Sequence, residues 1–176
     1  MANCSLPRLA GGVVAALLVL LAAAAPLQAL TTEEAMRFMY YTGCSPLRLA
    51  VLMRPFSDPD SARMGLTKEG VATAVRNRLR AARLYTDNAD EAPTLVVHVL
   101  LMHSKLGPGG AFAVDTTLHK RVYDPLSGVF GSVQTVIGNA RLGLHAGKAA
   151  FILSEIAQQM DEFIDTYLRV NESACY

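Results

Sequence analysis

Apolar positions recur along this chain with two periods, and the change from one to the other marks its elements. From Thr94 to Asp124 two runs alternate apolar and polar side chains on either side of a Gly107-Pro108-Gly109-Gly110 connection. A period of two places alternate residues on opposite faces of a strand, so this stretch is expected to be a β-hairpin. Leu95, Val97, Val99 and Leu101 on one arm, with Phe112, Val114, Thr116, Leu118 and Val122 on the other, would form its inner face. Upstream, Leu47, Leu49, Val51 and Met53 alternate with Arg48, Ala50, Leu52 and Arg54, a first strand. Downstream, the Asp124-Pro125-Leu126-Ser127-Gly128 turn leads into a strand over Val129–Ile137, with Val129, Val133 and Ile137 facing in.

Elsewhere the period is helical. Thr67 is placed to cap a helix from Lys68 to about Arg83, in which Val71, Val75, Leu79 and Ala82 fall on one stripe. Arg76, Arg80 and Arg83 share a second stripe, read as a solvated face. Lys148–Val170 forms a longer helix that buries Ala149, Ile152, Ile156, Met160, Phe163 and Tyr167. Thr31 and Glu34 have capping-box spacing, which predicts a short helix over Glu33–Tyr40 with Met36, Met39 and Tyr40 on its sticky side. Pro55 and the Ser57-Asp58-Pro59-Asp60 cluster read as a loop, and so does the glycine-punctuated stretch Gly138–Gly147. The element order is β-α-β-β-β-α. It predicts an α+β two-layer sandwich, a mostly antiparallel four-stranded sheet with both main helices on one face.

Composition changes the picture at the N-terminus. Arg8 precedes the uncharged run Leu9–Ala25, which is followed by Pro26 and a small residue, Ala29. That is the layout of a secretory signal peptide over residues 1–29, leaving a single domain over 30–176. An uncleaved anchor is the other reading, although seventeen apolar residues is at the lower limit for crossing a bilayer. Contact with a membrane is expected only through such an anchor. Without Arg8, fifteen basic side chains face fifteen acidic ones. That balance gives no basic excess for nucleic acid and no acidic tail. Two cysteines remain after Cys4 leaves with the signal, Cys44 and Cys175, and in an oxidising compartment such a pair is expected to bridge. Tyr41-Thr42-Gly43-Cys44 is not a lipidation box, because it lies too far beyond the apolar run and lacks its leucine. The expected location is periplasmic or secreted.

With both helices on one side, the other sheet face must meet water or a partner. Its members would include Leu52, Leu100, Met102, Tyr123 and Phe130, interspersed with His98, Asp115, Thr117, His119, Arg121 and Gln134. A solvated antiparallel face is normally polar, and a contiguous apolar patch marks an interaction surface. Either this face binds, or the N-terminal helix or the Gly138–Gly147 loop folds over it. His98, Asp115 and His119 share the outer parity on adjacent arms, a constellation able to serve as a metal or general acid–base site. No cofactor motif is present. Gly143-Leu144-His145-Ala146-Gly147-Lys148 has the wrong spacing for a phosphate loop, and Ser104, Ser127 and Ser132 stand in no Gly-x-Ser-x-Gly context. His103 and His145 read as strand-end and loop histidines, and Asn171-Glu172-Ser173 is a glycosylation sequon.

Three segments carry a resemblance: GLTKEGV (65–71) running into RLRAARLY (78–85), AFAVDTTLHKRVYDPLSG (111–128), and HAGKAAFIL (145–153) leading to DEFIDTYLRVNESAC (161–175). With them the chain resembles a family of small, uncharacterised exported bacterial proteins. The resemblance implies export and kinship without an activity. A Trp that the family pattern places near Gln134–Val136 is missing here. More loosely, the layout looks like small periplasmic α+β domains that bind envelope proteins. Two function classes follow: a non-catalytic binding or assembly module of the cell envelope, whose partner is an envelope protein or a second copy, or a hydrolytic or metal-dependent enzyme using His98, Asp115 and His119.

Overall fold

The hairpin forms as its alternation predicts. In the computed structural model, which describes residues 30–54, 63–88, 90–104 and 109–175, β2 (Thr94–His103) pairs antiparallel with β3 (Gly110–Asp124), from Thr94 opposite His119 to His103 opposite Gly110. β1 (Arg48–Arg54) runs parallel to β2, so the chain must cross over between them, and α2 (Lys68–Ala81) lies in that crossover. β4 (Val129–His145) pairs antiparallel with β3, giving the order β1-β2-β3-β4. α1 (Thr32–Tyr40) precedes the sheet, and α3 (Ala149–Val170) follows it with a four-residue helical turn, α4 (Glu172–Cys175). The chain divides into Met1–Thr31, of which only Leu30 and Thr31 are described, and Thr32–Tyr176, which carries every element. The signal segment 1–29, the loop cluster at 55–60 and residues 107–108 of the hairpin connection lie outside the described residues.

The inner face is dry. Leu95, Val97, Val99, Leu101, Phe112, Val114, Thr116 and Leu118 are all buried. Val71, Val75 and Leu79 of α2 join them in one core with Ile152, Ile156, Met160, Phe163 and Tyr167 of α3, so both helices cover the same face. Full burial of side chains of this size stabilises by about 1.5–3 kcal/mol each. The Thr67 hydroxyl caps α2, accepting from the Gly70 N–H at 3.0 Å.

α2 ends at Ala81 rather than Arg83 because the chain turns left-handed there. Leu84 N–H donates to Leu79 O at 2.8 Å and Arg83 N–H to Arg80 O at 2.9 Å, with Leu79 and Leu84 both buried. This is a Schellman closure, and its left-handed position holds an arginine at φ 59°. Glycine adopts that conformation without Cβ strain, partly offset by its freer unfolded chain. Arg83→Gly is therefore expected to raise stability by about 0.5–1 kcal/mol, read as a higher urea midpoint at unchanged slope.

Two expectations are corrected. Gly138–Gly147 is not a loop: β4 runs through to His145. Val114 pairs with Arg141 and Thr116 with Ile137, so Gly138, Asn139 and Ala140 bulge against the single residue Asp115. An insertion of two residues keeps strand parity. Arg141, Gly143 and His145 therefore still face in, and Leu142 and Leu144 face out. Gly143 is needed there, since a Cβ would stand 2.6 Å from the Phe112 ring. The second correction concerns the far end of the β3–β4 ribbon. Val129 is 58% exposed, and Val122, beside an open cleft against α1, is only half-buried.

α1 packs on the helical side of the sheet. Tyr40 is buried against Phe163 with ring centroids 6.1 Å apart. Lys120, at an inward position on β3, donates to the carbonyls of Phe38 and Tyr41 (2.9 Å to the latter) at the C-terminal end of α1. That is where a helix favours a cation, and burial pushes the ammonium pKa down. On the outer face, neither α1 nor residues 138–147 cover Leu100, Met102, Leu142 and Leu144, which stay exposed.

The turn between α1 and β1 is tied to the last helical turn. Cys44 and Cys175 form a disulfide with Cα atoms 5.2 Å apart. Beside it the fully buried Asn171 donates to Tyr40 O (3.0 Å) and Tyr167 O (2.8 Å) and accepts from Thr42 N (2.9 Å) and Cys44 N (3.2 Å). Tyr167 donates to Ser45 O at 2.8 Å. The sequon asparagine is thus consumed inside the fold and has no room for a glycan.

Candidate functional site

The outer face carries an apolar groove at one end. Met102 of β2 stands opposite Ala111, which stands opposite Leu144 of β4; one row on, Leu100, Ala113 and Leu142 repeat the pattern. Two half-buried alanines make the floor, and four large side chains make the walls. The walls are bare: Leu100 is 44% exposed, Met102 58%, Leu142 77% and Leu144 80%. The walls stand two strand spacings apart, about 10 Å. Leu52 on β1 extends the apolar area beside it.

Tyr123 and Phe130 are also exposed, but at the other end of the ribbon. Their rings lie 5.1 Å apart, and the Arg121 guanidinium sits 4.9 Å over Phe130 while pairing with Glu91 at 2.8 Å. Tyr123 lies twelve positions along β3 from Ala111, roughly 40 Å along a strand. The five apolar candidates thus divide into a groove set (Leu52, Leu100, Met102) and a remote aromatic pair. Leu142 and Leu144 escaped the sequence reading, although their alternation with Arg141 and Gly143 was visible.

Between the two patches lie the polar candidates. His98 stands directly opposite Asp115. The Thr117 hydroxyl lies 3.5 Å from His98 Nε2 and 3.3 Å from His119 Nε2, so it links the two imidazoles. Asp115 Oδ1 is buried without a hydrogen-bond partner. Among the described residues no three His, Cys, Asp or Glu side chains converge as a metal-binding set. Two clefts line α1 instead: about 440 Å³ against Arg37, Phe38, Lys120 and Tyr123, and about 650 Å³ against Met36, Arg37, Arg169 and Glu172. Neither reaches His98, Asp115 or His119. Thr117 itself is buried, and His98, Asp115 and His119 are each half-buried.

A histidine pair stands where β4 ends. His145 is buried and meets His103 edge to face at 5.4 Å. Its Nδ1 accepts from Gly147 N–H at 3.3 Å, which leaves the proton of the neutral ring on Nε2. Burial first, and the neighbouring His103 second, hold its pKa below the usual imidazole value. Below about pH 6.5 the unfolded chain therefore binds a proton that the folded chain refuses, and stability falls as pH drops towards the depressed value. The thermal midpoint is expected to fall less between pH 7.5 and pH 5.5 in His145→Gln than in the wild type.

Solved structures similar to this chain include an uncharacterised protein at 7% identity, with 77% of this chain and 95% of that one covered and a TM-score of 0.30. Another is a minor lipoprotein from Acinetobacter baumannii at 13% identity, with 75% and 97% covered and a TM-score of 0.24. At such scores neither carries an argument about fold or function. No family model matches the chain, and no curated protein matches it.

Proposed function

We propose that the protein is a non-catalytic binding module of the bacterial cell envelope, and that it docks a protein partner in the groove walled by Leu100, Met102, Leu142 and Leu144. The observation that carries this reading is the exposure of those four side chains around an alanine floor. A soluble domain rarely leaves such a strip to water unless something covers it. An envelope setting is supported by the signal-like segment 1–29 and by the disulfide, a bond typical of oxidising compartments. The groove is uncharged, so its partner would present apolar side chains, and Leu52 would widen the contact.

Photo-crosslinking tests it. A photoreactive residue at Leu142 is expected to trap a discrete protein adduct in envelope extract, and one at Glu155, on the helical side, is not. Leu100→Asp should abolish the adduct. Equal labelling from both positions, or an adduct indifferent to Leu100→Asp, would contradict the reading.

A further inference from the structure

We propose that the free edge of β4 pairs antiparallel with the same edge of a second copy, about a two-fold axis at Val133, merging two four-stranded sheets into one of eight strands. The sheet has two edges, and they differ. β1 is seven residues long, and Leu84 and Thr86 hydrogen-bond to Leu47 just ahead of it, at 2.7 and 3.0 Å. β4 is seventeen residues long, and among the described residues no backbone–backbone hydrogen bond joins it to any element but β3. A long bare edge is a template for another strand.

Edges that must stay alone are blunted by lysine, proline or inward charges. Val129–Ile137 contains no charged residue and no proline. The inward charge and the bulge of β4, Arg141 and residues 138–140, both lie beyond Ile137, outside the paired stretch, and Arg141 is held by Glu162 of α3. Two copies therefore meet along this edge without like-charge repulsion.

The stretch is also self-complementary. Antiparallel strands match faces only when facing residues have the same parity. A two-fold at Val133 meets that condition. On the outer face it sets Phe130 opposite the partner copy's Val136, twice, and Ser132 opposite the partner copy's Gln134, twice. Aromatic–β-branched and polar–polar cross-strand pairs are both stabilising. Phe130 and Val136 are 60% and 61% exposed, so each has surface to lose. Nine paired residues span about 30 Å. With their side chains they bury on the order of 700 Å² in total, the range of weak, reversible interfaces. The dimer should accordingly form at micromolar concentrations and above. This pairing goes beyond partner docking, since it uses residues 129–137 and leaves the groove at 142–144 open.

Analytical ultracentrifugation of the purified, disulfide-bonded protein from about 1 µM to about 1 mM, which brackets weak association, tests it. The wild type should pass from monomer to dimer. Ser132→Lys/Gln134→Lys, at two exposed positions, should remain monomeric with an unchanged melting temperature. Mixing it with Ser132→Glu/Gln134→Glu should restore a dimer that neither variant forms alone. Leu142→Asp should dimerise like the wild type while losing the crosslinked partner. A wild type monomeric throughout the range would overturn the proposal. So would a lysine variant that dimerises normally, or a dimer abolished by Leu142→Asp.

Discussion

Replacing both Cys44 and Cys175 with serine is expected to cost about 4–5 kcal/mol of unfolding free energy. The bridge closes a loop with a sequence separation of 131 residues, nearly the whole of the structured unit, and loop-closure entropy grows with that length. Its ends are an α1–β1 turn and the last helical turn, so without it the unfolded chain regains its full spread. Urea denaturation should show a midpoint lowered by roughly 2 M, with a steeper slope from a more expanded unfolded state. A midpoint within about 0.5 M of the wild type would mean that native-state strain cancels the entropic gain, against this account.

Asn171→Leu is expected to lose roughly 3–5 kcal/mol although it replaces a polar side chain with an apolar one of similar size. The asparagine satisfies Thr42 N and Cys44 N with its oxygen, and Tyr40 O and Tyr167 O with its amide. Tyr167 O keeps the Asn171 backbone N–H, but leucine leaves the buried Tyr40 O and the part-buried Thr42 and Cys44 N–H groups without this partner, each costing about 1–3 kcal/mol, although such costs do not add fully. Asn171→Asp keeps the acceptor and loses both donations, so it should also destabilise. Because Asn171 and the disulfide grip the same segment, 42–44, their combined removal should cost less than the sum of the two. Denaturant curves for the two variants and their combination give the coupling directly. Full additivity would show that the anchor points act separately.

Much of this fold was legible because one period governed each element. Val97, Val114 and Ile156 are fully buried where alternation and helical spacing put them, and both long helices lie on the side those residues face. β4 was misread for a local reason: Gly138 and Asn139 carry turn chemistry, and the bulge they form looks like a strand end in the sequence. Only pairing with β3 shows that two inserted residues preserve parity and return Leu142 and Leu144 to the outer face. Lys120 was missed because a lone lysine among inward apolar positions gives no sign of the helix end it will cap. Alternation puts Tyr123 and Phe130 at outer positions, but their distance from the groove depends on the length of the ribbon. His145 was hidden by the same misreading as β4. Parity alone puts His98, Asp115 and His119 on one face; that His98 stands opposite Asp115, and that Thr117 links the imidazoles, follows only from the pairing and the side-chain geometry.

One face of the sheet is dry under the helices, and the other carries a bare apolar groove. Carbene footprinting of the purified protein with a photoactivated diazirine, read residue by residue by mass spectrometry, tests this most directly. Met102, Leu142 and Leu144 should label strongly, while Leu101, Val114 and Ile156 stay unlabelled. Protection of Met102, Leu142 and Leu144 to the level of Val114 would show that the groove is covered by the chain itself, and would contradict the account.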